Sequence, residues 1–354
     1  MKGWETELPA TFPIERVCRD ALRDAQRRRT RRRRRFQGAM TGACALIVIA
    51  TGVLAANRGA PSEQVQAGPG PTGATTSVAK ANGKIAFVRS TGPGDPAPRI
   101  YLMDEDGSGQ TMIAETARGS SLNWSPDGTK LAFSAVDGIY TVNADGSGEA
   151  RVPTTSHPDQ WPSWSPDGTK LAVRRFEGGT GAIDIVNIDG SARQRLLTGD
   201  VARPAWSPDG SRIAYHSGRE LYVVNIDGSG RRKLTSTGGF EDEPAWSPDG
   251  RQIAFRHNNT IKVVNAKGGT AQQLASHGGP ALADPTGRGG EPAAGRGTPS
   301  TPQWSPDGKK IVYTLTQTGE ACSIWIMNGD GSGRSQLTDG RTCDRDPAWQ
   351  PRLS

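Results

Sequence analysis

The amino-acid sequence predicts an all-β fold, a six-bladed β-propeller of four-stranded blades whose C-terminal strand pairs with its N-terminal strand, preceded by a single transmembrane helix. Three observations carry this expectation. The pentapeptide Trp-Ser-Pro-Asp-Gly begins at residues 124, 164, 206, 246 and 304. Its tryptophans lie 40, 42, 40 and 58 residues apart, and Trp349 follows 45 after the last; periods of that length are filled by four short strands and their turns. Finally, residues 37–56 carry no charge and directly follow an arginine block within residues 27–36.

The N-terminal segments come first. Residues 1–36 hold 12 Lys and Arg against 5 Asp and Glu, whereas residues 57–354 hold 31 of each. The net charge of +7 therefore belongs to the tail, and the neutral body gives no electrostatic argument for nucleic acid, so no nucleic-acid partner is expected. In the tail, Ile14, Val17, Cys18, Ala21 and Leu22 fall on one helical face, suited to lying on the inner leaflet. A helix of 20 uncharged residues rises about 30 Å, the thickness of a hydrocarbon core. Arginines on its N-terminal side hold the N-terminus in the cytoplasm. The expectation is a basic cytoplasmic tail at 1–36, a signal anchor at 37–56 that crosses the membrane once, and everything beyond on the extracytoplasmic side. A cleaved export signal competes with the anchor, since Arg33 to Phe36 loosely resembles a twin-arginine signal and Val53 to Ala55 offers a small-residue cleavage site. A buried globular helix is the third reading. Residues 57–82 have almost no large apolar side chains and are rich in Gly, Pro, Ala and Thr, the composition of a flexible linker.

Each repeat reads through its own chemistry. Ser-Pro-Asp-Gly suits a tight turn, with Pro fixing φ at the second position and Gly supplying a positive φ at the end. A short apolar strand follows, LAF at 131, LAV at 171, IAY at 213, IAF at 253 and IVY at 311. A third strand with alternation comes next, as in LYVVN at 221, and ends in a turn such as IDGSG before a fourth strand such as RRKLT at 231. The longer interval before Trp304 contains residues 277–302, rich in Gly and Pro and too short for a blade of about 40 residues, so it reads as a loop insertion. The first and last units are incomplete in complementary ways. Residues 83–109 supply a second and third strand with no Trp strand before them, and Trp349 is followed by Gln350, Pro351 and Arg352 in place of the turn. Pairing the Trp349 strand with Ile85 to Phe87 closes a ring of six blades over 83–354, expected as a monomer.

Trp-Ser-Pro-Asp-Gly, the Ile-Ala-Phe strand, LYVVNIDGSG and RRKLT together resemble the repeat of the TolB-like propellers, relatives of WD-type repeats, over roughly residues 83–350. The resemblance implies that the strand ending in Trp lines the central channel, that ligands or partners bind at one mouth, and that the chain is bacterial. This chain departs from the family pattern in having a 26-residue linker where an N-terminal α/β domain stands, and in its expected anchor, so the family's partners are not carried over.

Trp124, Trp164, Trp206, Trp246, Trp304 and Trp349 are expected to be structural, packing blade on blade. Residues 104–109, DEDGSG, begin like a calcium loop but lack the later bidentate Glu, so they read as a turn; calcium is the one ion the sequence brings into question, and no cofactor is expected. His157, His216, His257 and His277 have no metal-ligand spacing, so no metal site is expected. Cys322 and Cys343 fall in the final repeat, in an oxidising compartment, and are expected to form a disulfide bracing that blade. The segments before each Trp strand are the candidate partner-binding surface, read as loops on a rigid frame. Asp159, Arg203, Glu241, Asp242, Glu243, Asp344, Arg345 and Asp346 would form an acidic-leaning rim beside an exposed Phe240. The functional expectation is a non-catalytic, membrane-tethered propeller binding a protein or cell-envelope component at its mouth. The alternative is a hydrolase or lyase acting on a carbohydrate or lactone with a metal in the channel; no convergent His and carboxylate set supports it.

Overall fold

Strands of five to eight residues account for most of this fold, and the second strand of each blade buries consecutive side chains because both faces of the sheet pack against neighbouring blades. The structure, a computed structural model, describes residues 82–351 except 93–94, 96, 116–119, 154–158, 277–296 and 318–320. The tail at 1–36, the span at 37–56, the linker up to residue 81 and most of the loop insertion lie outside the described residues. Among the described residues no helix is long and apolar enough to cross a membrane.

Six four-stranded antiparallel sheets form six blades. Blade 1 consists of Cys343–Trp349, Ile85–Ser90, Arg99–Met103 and Thr111–Glu115. The inner strands of blades 2 to 6 are Ser120–Trp124, Asp159–Trp164, Val201–Trp206, Glu241–Trp246 and Gly297–Trp304, and in each blade the next three strands follow in chain order. Gly297–Trp304 takes in the last six residues of the stretch assigned to the loop insertion. The segments read as mouth loops are largely the first residues of these inner strands.

The core is divided among the blade interfaces. Each of the six apolar clusters joins two adjacent blades, as where Ala86, Ile100 and Leu102 of blade 1 meet Trp124, Leu131 and Phe133 of blade 2. The motif tryptophans are 5–9% exposed, apart from a half-buried Trp206. The indole Nε1 of Trp124 donates to Ala348 O at 3.2 Å and that of Trp246 to Ala205 O at 3.0 Å, each on the preceding inner strand. The Asp-Gly turns after the third strands do more than reverse the chain. Gly107, Gly146 and Gly331 have φ of 86°, 83° and 88° and lie so close to Leu337, Ile113 and Leu274 of the preceding blade that a Cβ would strike their carbonyls.

The Ser-Pro-Asp-Gly turns form as expected. Gly128 N donates to Ser125 O at 2.8 Å, and Ser125 Oγ donates to Asp127 Oδ1 at 2.6 Å while accepting Lys130 N at 2.9 Å. The hydroxyl and backbone donors hold Asp167 and Asp209 down to about 2. Blade 1 has no such turn, yet Gln350 keeps its hydrogen bonds across the chain break. Gln350 N donates to Lys84 O at 2.8 Å and Gln350 Oε1 accepts Lys84 N at 3.1 Å, the pattern Ser125 makes with Lys130. Its Nε2 adds a bond to Gly128 O in blade 2 at 2.7 Å.

Cys322 and Cys343 are disulfide-bonded. Because Cys322 opens the third strand of blade 6 and Cys343 the inner strand of blade 1, the bond crosses between blades at the closure; the expectation that it braces one blade is corrected by this topology.

Two stability outcomes follow from the closure. Gln350→Ala orphans the buried Gly128 carbonyl and the partly buried Lys84 N–H and is expected to cost about 1–3 kcal/mol, measured by denaturant unfolding of the full chain. Reduction of the disulfide is expected to cost about 2–4 kcal/mol, read as a lower melting temperature in dithiothreitol that a Cys322→Ser/Cys343→Ser variant no longer shows.

Candidate binding site at the channel mouth

Each inner strand loses register with its neighbour three residues before its tryptophan. The residue at that bulge has a left-handed backbone in every blade: Ser121 (φ 58°), Trp161 (54°), Arg203 (53°), Glu243 (55°), Thr301 (49°) and Asp346 (54°). None is glycine, and each such residue costs on the order of 1–3 kcal/mol, with β-branched and bulky side chains worst placed. Five of the six precede a proline, Pro162, Pro204, Pro244, Pro302 and Pro347, which has no N–H for the ladder and is accommodated in a strand at a bulge. All six line a channel cavity of about 540 Å³ that runs past the tryptophans to prolines of the turns.

Neighbouring blades hold the strained backbone in place. Trp161 N donates to Ser134 Oγ at 2.8 Å and Asp346 N to Thr314 Oγ1 at 3.1 Å. Carboxylates of the ring serve where no hydroxyl does: Asp346 Oδ2 accepts Ser121 N at 3.2 Å, and Glu243 Oε2 accepts Thr301 N at 2.6 Å.

The charges are concentrated on blades 3 to 5. Arg203 Nη1 is 3.3 Å from Glu243 and its guanidinium lies over the Trp161 ring, 4.6 Å from the centroid. Arg256 is 3.6 Å from Glu243 and holds Asp242 with both nitrogens, at 2.7 and 2.6 Å. Burial pushes the Glu243 carboxyl up, against the pull of Arg203; the Asp242 charge adds to the rise. Arg174 is shifted down by burial, and so is His216.

Most of the expected acidic rim is internal. Asp159, Glu241 and Asp344 are 0% exposed and Asp242 is 4% exposed. Asp344 chelates Arg89 at 2.7 and 2.8 Å. Asp159 pairs with Arg193, which also holds Asp184 at 2.7 Å. Glu241 accepts Leu221 N at 3.2 Å and the hydroxyls of Thr235 and Thr237. The physical reason is register: Arg89 stands opposite Asp344 and Arg256 opposite Asp242 on the adjacent strand, so the acids turn inward to their partners. Phe240 is half-buried, not exposed, with His216 edge-on at 5.8 Å and Arg256 over its ring at 5.7 Å. Arg345 pairs with Asp346 at 2.9 Å. Arg203, Glu243 and Asp346 do reach the channel, joined by Ser121, Trp161 and Thr301, which the sequence reading omits. The proline two residues before the Trp was the available signal for Trp161 and Thr301, and Ser121, followed by Leu122, has none. The Asp-Gly turns are occupied by their own serines, as in Ser108 N and Oγ donating to Asp106 Oδ1 at 2.9 and 2.6 Å.

Comparison with known proteins agrees with this architecture. Residues 137–287 match the family model described as TolB beta propeller domain. A stretch of 46 residues is 39% identical to the Tol-Pal system protein TolB of Anaeromyxobacter dehalogenans (strain 2CP-C), covering 13% of this chain and 10% of that protein. The chain thus matches about a tenth of the length of its curated relatives. Among solved structures, TolB from Acinetobacter baumannii aligns with a TM-score of 0.64 at 24% identity over 76% of this chain and 67% of that one. A chain of the Nidogen/Laminin complex aligns with a TM-score of 0.60 at 12% identity, over 77% and 99%. At these identities the structural likeness is one of fold.

A carboxyl with a higher pKa folded than unfolded binds its proton more tightly when folded, so its contribution to stability falls as pH rises from the unfolded value near 4.3 to the folded one. Wild type should therefore lose stability relative to Glu243→Gln as pH is raised from about 4 toward neutrality, by about 1.4 kcal/mol for each unit of elevation. Chemical denaturation of both proteins across that range checks it, and a constant difference would contradict the raised pKa.

Proposed function

We propose, from the premise that this is a TolB-like β-propeller, that the chain is a non-catalytic binding protein which holds a segment of a protein partner in the channel mouth ringed by Ser121, Trp161, Arg203, Glu243, Thr301 and Asp346. The N-terminal segment tethers it to the bacterial cytoplasmic membrane, with the propeller on the extracytoplasmic side.

The observation that carries this reading is the ring itself. One backbone device, a left-handed bulge, recurs six times and places in one cavity two hydroxyls, two carboxylates, a guanidinium and an indole. Where six blades keep a strained conformation but vary the residue, a constant scaffold presents a specific surface, and strain of this kind concentrates at functional positions. The motif tryptophans show the opposite behaviour, with one residue type at every position, as packing requires.

Photo-crosslinking in cells tests the mouth against the other face. Val136, 60% exposed in the hairpin between the second and third strands of blade 2, shares the ring's face of the propeller, whereas Ser147 and Ser229 lie in exposed turns on the opposite face. A benzoylphenylalanine at position 136 is expected to capture a defined protein that positions 147 and 229 do not. Adducts from the opposite face alone, or equally from both, would overturn the assignment.

A further inference from the structure

The mouth is not uniform around its circumference. In blade 3 the second and third strands, Lys170–Glu177 and Thr180–Asn187, are eight residues each, against six in blades 2, 4 and 5. Two extra residues raise this hairpin by about 7 Å beyond its neighbours. It carries Phe176, 48% exposed, a rare exposed large apolar side chain among the described residues. Behind Phe176 an alternating series of rings and guanidiniums leads into the channel. The Arg174 guanidinium is 5.1 Å from the Phe176 centroid and 5.1 Å from that of Trp161, and Arg203 follows at 4.6 Å on Trp161.

The cations along this series differ in one respect. Arg256 has both carboxylate oxygens of Asp242, and Arg203 has Glu243. Arg174 forms no ion pair among the described residues: its polar contact is Gln160 Oε1 at 3.4 Å, and its buried Nε donates to nothing. A guanidinium held between two aromatic rings is weakly hydrated and fixed in orientation, so it loses little on accepting a planar anion. A carboxylate is the anion that its fork fits, through charge-assisted bonds.

We propose that Arg174, Trp161 and Phe176 form an anion-and-ring subsite that binds an acidic, aromatic-bearing segment of the partner protein, its carboxylate on Arg174 and its apolar side chain on Phe176. This rests on the mouth being the binding face. Charge complementarity sets the carboxylate, and the exposed ring 5.1 Å away sets its apolar neighbour, a separation that adjacent peptide side chains span. A uronic-acid polymer satisfies only half of the subsite. It offers carboxylates to Arg174 but no apolar side chain to Phe176, and Trp161 already has two guanidiniums close to its ring, at 5.1 and 4.6 Å from the centroid.

The test uses the full chain in detergent and three labelled polymers: a random glutamate–tyrosine copolymer, polyglutamate and polygalacturonate, followed by fluorescence anisotropy. The copolymer should bind more tightly than either homopolymer and weaken as salt is raised. Arg174→Ala should weaken it at least tenfold and Phe176→Ala severalfold, with melting temperatures confirming that both variants fold. Arg251→Ala, which removes an arginine 84% exposed beside Asp249 in a turn on the opposite face, should leave binding unchanged. Unaltered affinity in Arg174→Ala, preference for polygalacturonate, or no binding of the copolymer would each overturn the subsite. If the copolymer fails while position 136 still captures its protein, the subsite falls and the mouth stands; if capture also fails, the mouth reading itself falls.

Discussion

The structure depends on one constraint: no blade can bury its own faces. A four-stranded sheet exposes two apolar surfaces, and here every apolar cluster spans two blades, so each blade is stable only as a neighbour. Burying a large apolar side chain contributes roughly 1.5–3 kcal/mol, and the tryptophans concentrate this at the joints. Backbone contacts follow the same logic. The Gly of one turn faces the Pro of the preceding blade's turn, as Gly168 does Pro126 and Gly210 does Pro166. In a line of blades two faces would remain open; in a ring none does, which is why closure through Gln350 and the Cys322–Cys343 bond governs all six.

That rigidity is what allows the channel to hold a left-handed residue in every blade. Trp161 and Thr301 in such a conformation would relax in a flexible loop. They persist because the flanking ladder, the following proline and a hydrogen bond from a neighbouring blade together fix the backbone. Buried ion pairs divide the charges of the same strands into two classes. Asp159, Asp242 and Asp344 are committed to arginines within the frame, while Arg174 makes no ion pair among the described residues and feels Asp200 only from beyond pairing distance, so its fork stays open to a ligand.

The repeat made the architecture legible, because Trp, Pro, Gly and apolar alternation act locally and report on packing directly. The missing turn after Trp349 even identified where the ring shuts, although not that Gln350 restores the turn's hydrogen bonds from the far side of a chain break. The site was less legible, for two physical reasons. Whether an acid before a Trp faces solvent or an arginine depends on cross-strand register, and Asp242 opposite Arg256 becomes visible only once the strands are paired. The backbone sign at Trp161 or Thr301 is set by a bulge, which the side chain itself does not announce. The proline two places before the tryptophan was the one local sign of it, and it reads as a strand irregularity only after the segment is known to be a strand rather than a loop.

Gln350 and Asp346 give the order of chain synthesis a structural meaning. Of the propeller's strands the last to be made is the inner strand of the first blade, and it brings Asp346, whose carboxylate orders Ser121, into the ring. Until those residues arrive the mouth lacks one of its six walls and blade 1 lacks its channel face. Completion of the ring and completion of the binding surface are therefore the same event, so a chain cut before Cys343 presents no assembled mouth to a partner.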